Sequence, residues 1–422
     1  MFAMGILQRS PFGHAYGKSK HEVADIFHKY GNEYLKTYKQ PAYILKSIGS
    51  IEKCRTASLG GHVDKCDSCG HTRISYNSCR NRHCPKCQSL SREKWIAERK
   101  KELLPVKYFH IVFTIPEELN RIALQNNKVV YDILFKSASE TLLQLGKDKK
   151  HLGAEIGIIS VLHTWGQTLI EHPHLHCIVP AGGLSNDGKR WISAKKSKNR
   201  KHIFFIHVNV ISDLFKKKFL FYFKKALKNK LLSFNGSISE LNNPAELQKL
   251  LNDLYEKKWI TYCKQPFGGA EQVINYLGRY THRVAISNHR IKSIENGKVT
   301  FSYKDYRNGQ KTKEMTLEAV EFIRRFLLHI LPDNFYKIRY YGILSSRNKK
   351  TKLAQCRCAL GVWESMPMAK EEVAESVVAK SWQEKLYELT GIDVTQCPKC
   401  KKGKMILVER MMVIPFNANC SP

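Results

Sequence analysis

Three histidines at alternate positions, His172, His174 and His176, lie in the apolar stretch HPHLHC. In a β-strand, alternate side chains point to the same face, so extended backbone here would bring these imidazoles together. Leu175 would then face the core and hold the strand in place. Neutral imidazole nitrogens bind metals that support hydrolysis, and a pair of them leaves positions for a phosphate oxygen. We therefore predict that His174 and His176 hold a catalytic divalent metal.

A third ligand is expected from the preceding strand-like segment, IGIISVLHTWGQTL. The two segments have the pattern of an antiparallel hairpin, which would place His163 and Gln167 within reach. His172 is the other candidate, although Pro173 can bend the chain beside it. We favour His163 because its imidazole matches the other two ligands, while the hairpin register decides which face it shares.

A nucleophile is offered by the segment NYLGRYTHR, in which Tyr276 and Tyr280 are four residues apart. On a helix this spacing stacks both hydroxyls on one face. Arg279 and Arg283 share the same spacing, and their guanidinium groups suit phosphate binding. An ordinary amphipathic helix with aromatic packing would show the same pattern. Together with a metal site, the segment indicates chemistry on a phosphodiester.

The charge of the chain identifies the class of partner. In 422 residues, 70 Lys and Arg face 37 Asp and Glu, a net charge of +33. Such an excess on a folded chain attracts polyanions, so nucleic acid is the expected partner. No stretch has the apolar length of a membrane span, and the N-terminus lacks the apolar run of a signal peptide. We expect an intracellular, cytoplasmic protein associated with the nucleoid and no membrane partner.

The cysteines predict structural zinc. In a reducing compartment, thirteen cysteines are better explained as ligands or buried thiols than as disulfides. Two knuckles, Cys66-x-x-Cys69 and Cys84-x-x-Cys87, are fourteen residues apart, a spacing that presents four thiolates tetrahedrally. These four cysteines are the predicted zinc ligands.

Further candidate ligands are interleaved with that set: Cys54, His62, Cys79 and His83. They have the chemistry of a second zinc site. Alternatively, the two cysteines pack as small apolar residues while the histidines contact phosphate or lie at the rim. Arg80 and Arg82 lie in the same module, and we expect them to contact the nucleic-acid backbone.

The elements that position these residues alternate along the chain. Strand-like segments such as VKYFHIVFTI and the predicted hairpin are separated by amphipathic, helix-like segments. One of these, ISDLFKKKFLFYFKKALKNKLL, is very basic, and GKVTFSYKDYRNGQKTKEMTL predicts a second hairpin. This order is compatible with an α+β fold, and the first hairpin predicts an antiparallel pair within a sheet.

From about Lys20 to about Leu353, the chain resembles the two-tyrosine HUH transposases of rolling-circle insertion sequences. The resemblance is carried by these motifs: YNSCRNRHCPKCQ, FHIVFTIPEELN, VLHTWGQTLIEHPHLHCIVPAGGLS, PFGGAEQVINYLGRYTHRVAISNHRI, VTFSYKDYR and EFIRRFLLHILP. The cysteine module and the histidine motif are specific in combination. Cys397-Pro-Lys-Cys400 is similar to a short cysteine knuckle near the end of such proteins.

This resemblance implies a central antiparallel sheet of about five strands with flanking helices, and a division of the chain. Residues 1–50 would be a helical segment, and residues 51–104 a zinc-binding domain with its linking helix. The HUH nuclease domain would span residues 105–345, with a basic helical insertion around 210–255. A tail over residues 346–422 would follow.

The implied activity is single-strand DNA cleavage and strand transfer at element ends and target sites. Mg²⁺ or Mn²⁺ on the histidines would polarise the phosphate, and Tyr276 or Tyr280 would form a 5′-phosphotyrosine. A host helicase or replication protein is an implied partner, because the chain carries no Walker A motif. The alternatives are a plasmid rolling-circle replication initiator and a non-catalytic zinc-bearing DNA-binding protein. The sequence does not specify the oligomeric state.

Overall fold

The structure is a computed structural model that describes residues 19–195, 206–264, 272–273, 278, 284–305, 309, 311–362, 381–391 and 393–412. Its elements are helices and antiparallel sheets, so the predicted α+β class is confirmed. None of the helices in these ranges combines the length and apolar character that a membrane span needs.

The N-terminal part contains helices followed by a small hairpin. Its elements are α1 (Val23–Thr37), α2 (Ala42–Lys53), β1 (Gly61–Cys66), β2 (Thr72–Tyr76) and α3 (Gln88–Lys100). The amphipathic helices α1 and α2 bury Ile26, Phe27 and Ile48. The hairpin places one cysteine knuckle at its turn, and α3 begins directly after Cys87.

A five-stranded antiparallel sheet forms the centre of the protein. The elements of this region are β3 (Tyr108–Thr114), α4 (Asn120–Gln125), α5 (Asn127–Lys147), β4 (Gly157–Trp165), β5 (Glu171–Pro180), β6 (Gly182–Leu184), β7 (Trp191–Ser193), α6 (Val208–Lys228), α7 (Pro244–Glu256), β8 (Thr261–Lys264) and β12 (Ile338–Gly342). The strand order is β12-β4-β5-β3-β8. The predicted hairpin is therefore formed by β4 and β5 in the middle of the sheet, where both faces are covered.

The two faces of this sheet have different neighbours. Leu162 and Leu175 point to the face covered by α5 and α6, where the largest hydrophobic cluster lies. Val161 and Ile178 point to the other face and cluster with Ile96 of α3. Helix α6, predicted as part of an insertion, buries an aromatic row in the main core. The domain boundaries assigned from sequence stay predictions.

The C-terminal part of the described chain packs against the N-terminal part. Its elements are β9 (Ile291–Glu295), β10 (Lys298–Asp305), β11 (Lys311–Glu318), α8 (Ala319–Leu327), α9 (Lys349–Ala359), α10 (Trp382–Thr390) and β13 (Met405–Met411). The β9–β11 sheet and α8 share a hydrophobic core with α1 and α2. Strand β13 pairs with β1, so the end of the described chain completes a three-stranded sheet in order β13-β1-β2.

Candidate functional site

Three histidines converge on one face of the central sheet, which we call the histidine face. His163 of β4 lies directly opposite His174 of β5, and His176 lies two residues further along β5. Their ring centroids are 4.6 Å apart for His163 and His176, and 4.9 Å apart for His174 and His176. One nitrogen of each ring lies within 4.8 Å of the others, so the three rings form a cluster suited to one metal ion. Leu175 is fully buried on the opposite face, as predicted.

Hydrogen bonds orient two of these rings. Nδ1–H of His174 donates to the carbonyl oxygen of His172 at 2.6 Å, which places the lone pair of that ring on Nε2. Nε2 of His174 is 3.1 Å from Nε2 of His176. Two nitrogens bound at right angles to one ion, each about 2.1 Å from it, would be about 3.0 Å apart. The pair therefore has the separation and the lone-pair direction of two ligands to a single divalent ion.

His110, which sequence reasoning missed, lies behind His176. It is fully buried on β3, and its Nε2 is 2.8 Å from Nδ1 of His176. Burial, and then the charge of Lys264, lower the pKa of His110 to about 4, so its ring is neutral near pH 7. A neutral His110 can accept the Nδ1–H of His176 and leave Nε2 of His176 for a metal. The only sequence signal was a lone histidine inside an apolar strand.

The other two candidates for the third ligand have different positions. His172 is exposed, and its carbonyl serves as the acceptor for His174. Gln167 uses its side-chain oxygen to accept the backbone N–H of Lys304 at 3.4 Å. Of the three candidates, His163 is the one whose ring joins the cluster, and it is 3% exposed.

The predicted nucleophiles Tyr276 and Tyr280, and the predicted phosphate ligands Arg279 and Arg283, lie outside the described residues. Two residues of this region are described: Val273, which precedes the segment, and Gly278, which lies within it. Val273 is helical, fully buried and part of one hydrophobic cluster with Val161 and Ile178 of the histidine face. A Cβ on Gly278 would lie 2.3 Å from Cδ1 of Ile96, so Gly278 closely approaches α3.

Four cysteines form a first cluster, which we call the core tetrad: Cys54, Cys79, Cys84 and Cys87. Sγ of Cys87 is 3.3 Å from Sγ of Cys54 and 3.6 Å from Sγ of Cys79. Hydrogen bonds from the neighbouring thiols, Cys54 first, lower the pKa of Cys87, whereas contacts with the same neighbours raise the pKa of Cys84. A divalent cation at the centre would allow all four to ionise, which is the chemistry of a structural zinc site.

Four further cysteines form a second cluster, which we call the edge tetrad: Cys66, Cys69, Cys397 and Cys400. Backbone N–H groups, Gly403 first, donate to Cys400 and lower its pKa to about 6, which favours the thiolate. The predicted set of Cys66, Cys69, Cys84 and Cys87 is therefore wrong, because its two knuckles belong to different clusters. The physical reason is that β1 turns its knuckle towards β13, while Cys84 and Cys87 turn towards the end of α2.

Neither histidine of the predicted second zinc site joins a tetrad. Nε2 of His62 is 3.7 Å from a carboxylate oxygen of Asp64. Nε2 of His83 accepts hydrogen bonds from the backbone N–H of Leu331 and from Nε–H of Arg82. The prediction was thus right that Cys54 and Cys79 lie together and wrong for the two histidines as ligands.

The two arginines of this module differ. The guanidinium group of Arg82 donates to the backbone carbonyls of Leu331, Pro332 and Phe335, at 3.0, 2.6 and 2.5 Å. These donors bond within the protein, and the role of Arg82 in DNA binding stays a prediction. Arg80 is exposed beside the core tetrad, and its role in DNA binding stays a prediction.

Comparison with known proteins places the chain in a family. Residues 26–115 match the family model of a transposase zinc-binding domain, and residues 157–352 match that of a putative transposase. The putative transposase y4qJ of Sinorhizobium fredii is 49% identical over 393 residues, which cover 93% of this chain and 96% of the relative. The transposase for insertion sequence element IS801 of Pseudomonas savastanoi pv. phaseolicola is 27% identical over 308 residues, 72% of this chain and 70% of the relative.

No solved structure gives a significant match. The zinc-binding domain covers the whole core tetrad and the first knuckle of the edge tetrad. The second model covers all three histidines of the cluster on β4 and β5. With these two domains and a close relative over nearly its whole length, the chain belongs to the IS91-type family of insertion-sequence transposases with an N-terminal zinc-binding domain.

Proposed function

We propose that this transposase cleaves and transfers single strands of DNA through a 5′-phosphotyrosine, with Tyr276 and Tyr280 as the nucleophiles. The observation that carries the proposal is the convergence of His163, His174 and His176 on one sheet face. In a chain of net charge +33, a metal site of this kind, together with a sequence segment that carries two tyrosines, suits phosphodiester chemistry.

The histidine cluster is the proposed site of Mg²⁺ or Mn²⁺. A divalent ion bound there would polarise the scissile phosphate. The cluster is open at His174, which is half-buried, whereas His163 and His176 are 3% and 7% exposed. The phosphate would therefore approach from the side of His174. The enclosed rings of His163 and His176 would keep their orientation whether or not the phosphate is bound.

In the proposed cleavage, the hydroxyl oxygen of one tyrosine forms the new bond to phosphorus. The bond from phosphorus to the 3′ oxygen breaks, and that oxygen takes up the equivalent of the proton lost by the tyrosine hydroxyl and leaves as a 3′-hydroxyl. The tyrosine ester retains the bond energy, so rejoining to another 3′-hydroxyl needs no ATP. The second tyrosine allows a second cleavage while the first ester is still present. Val273 supports this assignment, because it clusters with the histidine face only three residues before Tyr276.

The partners follow from this chemistry. The substrates are single strands at the element ends and at the target, bound through backbone contacts and base stacking. Arg279, Arg283 and Arg80 are the proposed phosphate ligands. Unwinding of the duplex falls to a host helicase or to the replication machinery.

The test uses 3′-labelled and 5′-labelled single-stranded oligonucleotides that tile the DNA flanking the gene, incubated with the full-length protein and Mn²⁺. With the 3′ label, we expect a protease-sensitive labelled band at the mass of the protein on a denaturing gel. With the 5′ label, we expect a shortened free strand. Tyr276→Phe/Tyr280→Phe and His174→Ala should lose the band. Tyr255→Phe and His28→Ala, which change exposed side chains, are the matched controls.

Each alternative has its own outcome. Salt-sensitive binding without an adduct on any strand would favour the non-catalytic DNA-binding protein. A 5′ label on the protein would reverse the polarity and contradict the proposal. Cleavage confined to a plasmid replication origin would favour the replication initiator.

His110 is proposed as a positioning residue for the metal ligand His176. His110→Phe removes the acceptor 2.8 Å from Nδ1 of His176. We expect the Mn²⁺ concentration for half-maximal adduct formation to rise about 10- to 100-fold. His110→Gln, which keeps an acceptor, should recover part of the loss. A lower maximal yield at an unchanged Mn²⁺ requirement would assign His110 to the packing of the core alone.

A further inference from the structure

The edge tetrad joins two parts of the chain that are distant in sequence. Sγ of Cys66 is 3.7 Å from Sγ of Cys400, and Sγ of Cys69 is 3.7 Å from Sγ of Cys397. Four sulfurs arranged tetrahedrally about one zinc ion, each about 2.3 Å from it, would be about 3.8 Å apart. Cys397 and Cys400 lie beyond both matched regions, residues 26–115 and 157–352, so neither domain model accounts for them.

The backbone around the cysteines has the form of two zinc knuckles. In the first, the backbone N–H of Cys69 donates to Sγ of Cys66 at 3.4 Å. In the second, the backbone N–H of Gly403 donates to Sγ of Cys400 at 3.3 Å. Such N–H groups stabilise thiolates, because they place positive ends of dipoles at the sulfur. Both knuckles are therefore shaped for metal binding, and each alone supplies only two ligands.

The two knuckles are also fixed to each other through the backbone. The N–H of Asp67 donates to the carbonyl of Lys404 at 3.1 Å, and the N–H of Lys404 donates to Oδ1 of Asp67 at 2.8 Å. A Cβ on Gly403 would lie 2.5 Å from both Oδ1 of Asp67 and Sγ of Cys66. Only glycine permits this approach, so the sequence at 403 is fitted to the first knuckle.

Strand pairing extends the contact away from the sulfurs. Strand β13 pairs with β1 from Cys66 opposite Met405 to Gly61 opposite Met411. Arg73 of β2 donates to the carboxylate of Asp64 at 2.7 Å and to the carbonyl of Val394 at 3.1 Å. Without β13, the hairpin β1–β2 would be a two-stranded sheet, which is marginally stable in water.

We infer that Cys66, Cys69, Cys397 and Cys400 bind a second structural zinc ion, which attaches residues 393–412 to the N-terminal zinc-binding domain. The ion makes the two distant parts of the chain one folded unit. A transposase that lacks its last residues would then have an incomplete zinc-binding domain as well as a missing tail. This inference concerns the zinc-binding domain and does not depend on the proposed cleavage chemistry.

Zinc stoichiometry of the purified full-length protein tests the shared site. We expect elemental mass spectrometry to find two zinc ions per chain. Cys66→Ser/Cys69→Ser and Cys397→Ser/Cys400→Ser should each hold one, and the variant with all four substitutions should also hold one. Cys358→Ser, which changes an exposed cysteine outside both tetrads, should keep two. One ion in the wild type, or a further loss in the fourfold variant, would overturn the inference.

Alkylation of cysteines gives a second test that also reports on folding. In the native protein, N-ethylmaleimide should leave both tetrads unmodified. In Cys397→Ser/Cys400→Ser, we expect Cys66 and Cys69 to become modified, while the core tetrad stays protected and shows that the fold persists. Protection of Cys66 and Cys69 in that variant would show that the C-terminal knuckle is not their partner and would overturn the inference.

Discussion

The two cysteine tetrads have the same ligand chemistry and opposite positions in the molecule. Cys54 and Cys84 of the core tetrad are fully buried, and they belong to the hydrophobic cluster that joins α1 and α2 to α8. The edge tetrad lies at the turn of a three-stranded sheet, and its Cys69 is exposed. A set of four thiols can therefore either stabilise the centre of a hydrophobic core or join two distant segments of the chain, depending on what surrounds it.

This difference predicts different consequences of metal loss. A zinc ion inside a hydrophobic core stabilises everything that packs around it, because four uncompensated thiols would otherwise be buried there. An ion at the margin stabilises mainly the strands that it joins. The predictions below test this contrast, beginning with the largest expected effect.

Removal of the core tetrad should have the largest effect. We expect Cys84→Ser/Cys87→Ser to lose about 5 kcal/mol or more of unfolding free energy and to lack cooperative folding of the zinc-binding domain. Cys397→Ser/Cys400→Ser should stay folded, with a lower Tm. Circular dichroism during thermal unfolding measures both, with Cys358→Ser as the control. Equal losses of stability in the two variants would contradict the contrast.

Arg82 connects the loop of the core tetrad to the turn at 331–335 through hydrogen bonds. Its removal should have the next largest effect on stability. Arg82→Ala leaves three carbonyls without their donors, so we expect a loss of about 2–4 kcal/mol in urea unfolding. The matched variant Arg80→Ala, at an exposed site, should change stability by about 0.5 kcal/mol or less. It should instead weaken DNA binding. A stable Arg82→Ala protein would show that the core tetrad does not depend on this connection.

Acid should weaken the core around the core tetrad through His329. Burial lowers the pKa of His329 to about 4, and its ring bonds Thr164 and the carbonyl of Leu169. Below pH 6.5, His329 is protonated in the unfolded chain but stays neutral in the folded protein. The free energy of unfolding therefore falls as the pH falls from 6.5 towards 4. This difference amounts to about 2 kcal/mol at pH 5.

The measurement is urea unfolding of the wild type and of His329→Gln at pH 7 and pH 5. The wild type should lose more stability between the two values than the variant does. Subtracting the variant removes the contribution of cysteine protonation, which both proteins share. An identical loss in both proteins would show that His329 does not titrate as its burial requires.

Zinc release should separate the two tetrads by rate. With excess chelator, we expect zinc to be released in two phases. The edge tetrad should release its ion about tenfold faster or more than the core tetrad, because an exposed site opens locally at a lower free-energy cost than a buried one. Cys397→Ser/Cys400→Ser should lack the fast phase and keep the slow one. A single phase in the wild type, or loss of the slow phase in the variant, would reverse the assignment of the phases.

Local patterns in the sequence were enough to predict the histidine cluster. The alternation of His174, Leu175 and His176 has the period of a strand, so it determined which side chains share a face. The neighbouring strand-like segment then supplied His163, which the register of β4 and β5 places directly opposite His174. The zinc knuckles and the antiparallel hairpin were predicted for the same reason, since each depends on residues close together in the chain.

Tertiary structure alone decided which groups meet across long separations. The spacing of Cys66 and Cys69 indicated half of a zinc site, but the other half lies more than 300 residues away and is set by the pairing of β1 with β13. Likewise, only the register of β3 against β5 places His110 behind His176, and only the fold turns Arg82 towards the carbonyls at 331–335. Sequence spacing fixes the geometry within one element, whereas contacts between distant elements depend on how the whole chain packs.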